Sequence, residues 1–336
     1  MYAITQSTYG TPDVLTAVDR PAPALPDDGV RIAVEASAIT QGDRRLRSGD
    51  FPGITWLPGR IAVGLTGPRA QPGFCFAGHV VEVGRAVTQW SVGDAVFGGA
   101  PGAWADQLVL PEDGPFARMP DGWTAGEAAD LAYGAATALH FLVDVAQVQP
   151  GERVCVLGAS GGVGRAVVQL AHHMGAQVTA VCSARTHGLV TSLGATATVD
   201  YRAQDFRTVA ATEGHFDVVI DTMGASSYAA CRHALTPTGR FATLMASARS
   251  LWDMAATALM GRQRAAVSVA LPSPAAFEAV RALADDGALR PVIDRTFPID
   301  QIREAHAHVE AGGVHGAVVI EVSAAPLRLA PLRTAS

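Results

Sequence analysis

Hydrophobic and polar positions change texture along this chain. From Met1 to about Gly122 apolar residues come in short runs cut by turns. Met1-Tyr2-Ala3-Ile4-Thr5-Gln6 reads as an immediate strand, and 31–36 and 79–83 alternate or run apolar. Pro-Asp-Asp-Gly, Ser-Val-Gly-Asp and Pro-Glu-Asp-Gly punctuate them, so a compact β-rich domain is predicted. From Trp123 the spacing turns helical. Thr124 is a candidate N-cap for a helix over 125–140. Strands at 154–157, 178–182, 196–199, 218–221 and 241–245 then alternate with helices over 163–174, 186–193 and around 227–235. That alternation predicts a doubly wound parallel sheet. Residues 267–271 read as a further, edge strand. Residues 274–287 and 302–311 read as helices, 291–297 and 318–322 as strands, and the Pro/Arg-rich tail from Ala324 as loosely ordered. The C-terminal elements are expected to rejoin the first domain. A discontinuous domain of 1–122 and 272–336 would then surround an inserted domain of 123–271.

Composition narrows the classes. The chain is 49% hydrophobic and 17% charged, so a large core is feasible and disorder is disfavoured. The formal net charge is −6 and no basic stripe appears, which argues against nucleic acid as a partner. All 25 basic residues are arginine, so lysine Schiff-base chemistry is excluded. The N-terminus lacks the charged and apolar regions of a signal peptide. The apolar stretch 251–271 is broken by Asp253, Arg262 and Arg264 and is not a membrane span. Cys75, Cys155, Cys182 and Cys231 are far apart and suggest no disulfide framework. A reducing, cytoplasmic setting is expected.

The most specific chemistry lies at 152–164, an apolar run that enters Gly158-Ala159-Ser160-Gly161-Gly162-Val163-Gly164 and then a helical pattern. Small residues let the backbone approach a dinucleotide pyrophosphate, and the helix N-terminus offers free N–H groups. The apolar run 177–182 follows the helix, as a βαβ unit requires. Without a Lys-Ser/Thr ending the loop is no ATP-binding P-loop. The end of the second strand, Val181-Cys182-Ser183-Ala184-Arg185, has no carboxylate for a ribose 2′-OH. Ser183 and Arg185 can instead hold a 2′-phosphate, so NADPH is the expected cofactor. His172 and His173 read as a helix surface, and no Ser/His/Asp arrangement is readable as a hydrolase.

Several separated motifs, in order, resemble the zinc-free quinone oxidoreductase-like branch of the medium-chain dehydrogenase/reductase superfamily. They are 9–15, 42–49, 76–84, 92–98, the glycine loop, 216–224 and 290–294. The resemblance implies an α/β protein: a GroES-like β-rich catalytic domain plus an inserted Rossmann domain, with the active site in the cleft between them. It implies a zinc-independent reductase of quinones or activated, α,β-unsaturated carbonyl double bonds, and a homodimer joined at the 267–271 edge. Cofactor contacts are expected from Thr137, Ala159, Ser160, Gly161, Gly162, Val163, Gly164, Ser183, Arg185, Tyr201, Thr222, Leu244 and Met245. Zinc-dependent relatives place a cysteine near Thr40, a His-Glu pair at Phe74-Cys75 and a four-cysteine lobe around 95–113, none of which this chain has. No metal site is therefore expected.

The catalytic constellation is less legible. Reducing a conjugated alkene puts charge on the carbonyl oxygen, which needs a donor, and the α-carbon needs a proton. Tyr133 is the expected donor, with Thr40 and Asp43 as further catalytic candidates. Thr40 stands where the family often has asparagine. Asp43 and Arg47 are expected to pair, and Cys75, between Phe74 and Phe76, to be a buried, inert thiol. The regions of Phe51, Trp56 and Trp252 would suit a bulky substrate, which keeps open an enoyl reductase of secondary metabolism. A protein that binds NADPH without turnover is the third reading. Gly161→Val should block the pyrophosphate and strain the backbone.

Overall fold

The computed structural model describes residues 1–51, 60–61 and 63–322; Trp56 and the tail from Ala324 lie outside them. The chain divides into two compact units. The first holds Met1–Phe51, residues 60–133 and residues 272–322; the second is Gly134–Leu271.

The first unit opens with β1 (Tyr2–Thr5), antiparallel to β2 (Thr16–Asp19). Then come β3 (Gly29–Ala38), helix α1 (Gln41–Ser48), β4 (Cys75–Val83), β5 (Ala95–Gly99), β6 (Gln107–Pro111) and β7 (Phe116–Arg118). Helix α2 (Ala125–Leu139) crosses from the first unit into the second. Thr124 caps it: its hydroxyl accepts the Glu127 N–H at 3.3 Å, and the Glu127 carboxylate accepts the Thr124 N–H at 2.8 Å. A π-wound segment, His140–Val145, continues α2.

The second unit alternates as the pattern predicts: β8 (Arg153–Leu157), α3 (Gly162–His173), β9 (Gln177–Cys182), α4 (His187–Ser192), β10 (Ala197–Asp200), α5 (Phe206–Glu213) and β11 (Phe216–Asp221). The short turn α6 (Tyr228–Cys231), β12 (Leu235–Thr243), α7 (Ala248–Met260) and β13 (Arg264–Val267) complete it. All six strands are parallel, in the order β10-β9-β8-β11-β12-β13. Order reverses at β8, so the β8–β11 edge is the topological switch point. Cys155, Leu157, Val181, Val199, Phe206, Val219 and Phe241 form a core there.

Helix α8 (Pro274–Asp285), β14 (Ile293–Pro298), α9 (Ile302–Ala311) and β15 (Ala317–Glu321) return to the first unit. Its seven-stranded sheet runs β14-β15-β3-β4-β5-β7, with β6 also on β3. Phe297, Ile302 and Ile320 share one core with Ile4, Leu15, Val34, Phe76 and Trp104. No helix among the described residues is long and apolar enough to cross a membrane.

Two expected elements need correction. The helix around 227–235 is one turn, because Leu235 already pairs with Phe216 as the start of β12. The edge strand is Arg264–Val267 rather than 267–271, because its ladder partner β12 ends at Thr243, opposite Val267. Val269 and Leu271 follow it at 68% and 80% exposure.

Candidate functional site

The loop between β8 and α3 shows what each glycine does. Gly158 has φ +78°, a left-handed conformation that favours glycine. A Cβ on Gly164 would collide with the Gly158 carbonyl oxygen and lie 2.8 Å from Ala159 Cα, so only glycine lets α3 pack on the turn. Gly161 and Gly162 are exposed. A Cβ on Gly162 would meet nothing within 4 Å, and one on Gly161 only the Gly158 oxygen at 3.4 Å. The cradle a phosphate needs is thus open, and the α3 N-terminus above it has no side-chain cap. Gly161 has φ −74°, so the expected backbone strain of a valine there is not supported; a valine would fill space without twisting the chain. Ala159 is buried, Ser160 and Val163 half-buried. Buried Arg165, not singled out from sequence, donates to the Ser160 carbonyl at 3.3 Å and braces the loop. Helix α2 also lies against it: a Cβ on Gly134 would come within 2.8 Å of the Gly162 oxygen. Thr137, on the next turn of α2, is buried.

Neighbouring strand ends finish this edge. Thr222 donates its hydroxyl to the Leu157 carbonyl at 2.8 Å, tying β11 to β8; its proton is used there. Buried Asp221 accepts the N–H groups of Met223, Gly224, Ala225 and Ser226 at 2.8–3.1 Å, which fixes the following loop. Leu244 N–H bonds the Asp221 carbonyl at 3.2 Å, and Met245 N–H bonds Thr243 Oγ1 at 3.2 Å. Beyond β9, Ser183 starts a short 3-10 turn, and Arg185 within it is exposed. Tyr201 is 58% exposed, with the Arg202 guanidinium 5.5 Å from its ring centre. The ladder reveals a carboxylate the sequence reading passed over: Asp200, the last residue of β10, pairs with Cys182. Its Oδ1 accepts the Arg202 N–H at 3.0 Å. The useful signal was register rather than spacing.

A second polar set lies wholly in the first unit. Thr40 caps α1 and Asp43 is its reciprocal partner. Thr40 Oγ1 accepts the Asp43 N–H at 3.1 Å and donates to Asp43 Oδ2 at 2.6 Å; Oδ2 also accepts the Thr40 N–H at 2.8 Å. This capping box commits the single hydroxyl proton of Thr40 while Asp43 is ionised. Burial pushes the Asp43 carboxyl up to about 6, opposed by its hydrogen bonds from Thr40 and nearby backbone N–H groups. Cys75 is buried next to this carboxyl and against the backbone of Tyr133; burial above all holds its thiol well above the usual range. Half-buried Tyr133 stands edge-on to Phe74, ring centres 5.9 Å apart. Arg45 lies near enough to Tyr133 for their charges to interact; burial is what chiefly lowers the pKa of that guanidinium. The expected Asp43–Arg47 pair does not form. Arg47 pairs with Glu310 of α9 and donates to the Gly10 carbonyl, while the Asp43 carboxylate is taken up by Thr40 at the start of α1.

No group of three or more His, Cys, Asp or Glu among the described residues could hold an ion. Residues 52–59, 62 and 323–336 contain none of these four types.

A doubly wound sheet with a phosphate cradle at its switch point, joined to a β-rich unit, is the build of a nicotinamide-nucleotide-dependent oxidoreductase. Residues 26–121 match the alcohol dehydrogenase GroES-like domain, and residues 193–320 match a zinc-binding dehydrogenase domain. The chain is 29% identical over 333 residues to the chloroplastic quinone-oxidoreductase homolog of Spinacia oleracea, covering 96% of this chain and 98% of that one. The solved quinone oxidoreductase of Coxiella burnetii superposes with a TM-score of 0.83 at 27% identity, covering 96% of this chain and 99% of that one. Polyketide synthase GfsB of Streptomyces halstedii is 32% identical over 322 residues, 93% of this chain, but the chain spans only 5% of that protein's length. The chain belongs to the medium-chain dehydrogenase/reductase superfamily, in its quinone oxidoreductase-like branch.

Proposed function

We propose that this protein uses NADPH to reduce the conjugated double bond of a quinone or enone without a metal. The carrying observation is the donor set of the first unit: a phenol, a capped threonine and a buried carboxyl, with Cys75 as the sole thiol among them. Such a set offers hydrogen bonds but no Lewis acid. A conjugated acceptor needs no more, because it spreads the incoming charge onto one oxygen. NADPH supplies the hydride when bound. Gly161 and Gly162 leave room for its pyrophosphate, while Arg185 and Ser183 suit its 2′-phosphate. Tyr133 is the donor we assign to the acceptor's carbonyl oxygen. Thr40 joins it only when Asp43 is protonated, since Asp43 can then donate to Thr40 Oγ1 and free the threonine proton. The likeness to GfsB favours a second reading of the same chemistry, an enoyl thioester as acceptor.

Following NADPH and NADH oxidation with a quinone, a cyclic enone and an enoyl thioester tests this. NADPH should give the higher kcat/KM, and Arg185→Ala should cut that preference about tenfold through loss of one charge-assisted contact. Stronger use of NADH, which Asp200 could support through the ribose hydroxyl, would overturn the cofactor assignment. No oxidation with any acceptor would leave only binding.

A further inference from the structure

Met223 stands just beyond β11, at the edge where β8 and β11 lie side by side and the glycine loop begins. Its side chain folds back over the first glycine of that loop: a Cβ on Gly158 would lie 2.6 Å from the Met223 sulfur. The residue is nonetheless 62% exposed, and no other methionine side chain among the described residues is exposed. Its backbone is held in place, since buried Asp221 accepts the N–H groups of Met223 and Gly224 at 3.0 and 2.9 Å. A solvent-facing thioether is thus fixed at the crevice where a doubly wound sheet receives its ligand. The four cysteines present the contrast. All are buried, and burial above all raises each thiol, that of Cys231 to about 11. The thiolate is the reactive form of cysteine, so Met223 is the sulfur open to a dissolved oxidant.

We propose that Met223 is an oxidation switch on the cofactor loop, weakening NADPH binding when hydrogen peroxide converts it to the sulfoxide. The inference rests on the reading of this loop as the NADPH cradle. The sulfur lone pair attacks one peroxide oxygen, so that an S–O bond forms as the O–O bond breaks. The departing hydroxide takes the proton from the oxygen now on sulfur and leaves as water. Sulfur gives up two electrons and the peroxide takes them up. The soft, apolar thioether becomes a polar, chiral group. Its oxygen carries partial negative charge beside Gly158, where it repels a pyrophosphate and takes up room in the crevice. A dithiol-dependent methionine sulfoxide reductase removes that oxygen as water, so the switch is reversible. NADPH in the crevice would shield the sulfur, which makes the cofactor-free protein the sensitive form.

The test treats the full chain with hydrogen peroxide, with and without NADPH, and then removes the peroxide. Peptide mass spectrometry locates the sulfoxides, and fluorescence titration reads the Kd for NADPH. Met223 should oxidise first, NADPH should slow its oxidation, and the Kd should rise about tenfold or more, the scale of one polar atom left without a partner. Met223→Leu, compared before and after peroxide, should show no rise, because leucine keeps the apolar volume and offers no sulfur. Met223→Gln, polar without any oxidant, should bind NADPH as weakly as the oxidised wild type. Sulfoxide reductases of both stereospecificities should restore the wild-type Kd. A Kd unmoved by complete sulfoxide formation at Met223, or an equal rise in Met223→Leu, would overturn the switch and leave the cradle reading standing. Absence of NADPH binding by the untreated protein would overturn both.

Discussion

His306 and Asp43 are buried in the same unit and pull its stability in opposite directions as pH changes. His306 stacks edge-on to Trp104 at 5.1 Å, and neither of its ring nitrogens has a partner among the described residues. Burial first, and Arg47 second, push its pKa down to about 3. The unfolded chain therefore takes up this proton first, and the stability due to neutral His306 is lost as pH falls from about 6.5 toward 3. Asp43 behaves oppositely. Its folded value of about 6 lies above the ordinary carboxylate value, so the folded state holds the proton more tightly and stability declines as pH rises from about 4 to 6. Over that window the two slopes offset each other. His306→Phe keeps an aromatic ring on Trp104 and deletes one slope. The variant should gain on the wild type by roughly 1.4 kcal/mol for each pH unit below about 6.5. Urea unfolding at three pH values between 4.5 and 6.5 reads that difference. Parallel curves would show that His306 is not held neutral.

At the scale of elements, the β8–loop–α3 unit separates two roles that glycine plays within seven residues. Gly164→Ala should destabilise the protein by several kcal/mol, since the new methyl meets backbone that cannot move aside. Gly161→Val should fold with near-wild-type stability and lose NADPH binding, because its Cβ meets open space only the cofactor would fill. Thermal melts paired with fluorescence titration of NADPH distinguish them; equal melting losses in both would refute this division of roles. The loop was legible in the sequence because a tight turn, a close approach and a phosphate cradle each demand glycine at a fixed place. Other elements were not. Helix α7 was read only as an apolar stretch too polar to span a membrane. Its start was nonetheless marked, since the Ser247 hydroxyl accepts the Ser250 N–H at 3.0 Å and Ser250 Oγ accepts the Ser247 N–H at 2.8 Å. Helix α5 was missed although Asp205 caps it, its carboxylate accepting the Arg207 N–H at 2.9 Å. At the polar set, Thr40 and Asp43 were found from their place in the chain. Their mutual hydrogen bonds, which decide when Thr40 can donate, depend on the helix start they cap.

For the whole molecule, the question is where the hydride ends. A carbonyl reductase delivers it to the carbinol carbon and needs strong polarisation of one C=O bond, for which a metal is the usual device. This chain places a phenol, a threonine and a carboxyl at its polar set and gathers no three metal ligands among its described residues. Its acceptor should therefore be one in which conjugation shares the charge. With NADPH deuterated at the transferable position, a cyclic enone should carry the label on its β-carbon, and the α-hydrogen should come from solvent. Tyr133→Phe should lower kcat by roughly 10- to 100-fold and leave the KM for NADPH little changed, because the phenol is asked to act only as charge develops on the oxygen. The cofactor loop is built separately, from β8 and α3. Deuterium on a carbinol carbon, or steady oxidation of simple alcohols, would place the activity with carbonyl reduction. A Tyr133→Phe enzyme with unchanged kcat would move the donor role to Thr40. Asp43→Asn would then be the informative variant, since an amide cannot hand Thr40 the proton that a carboxyl near pH 6 can.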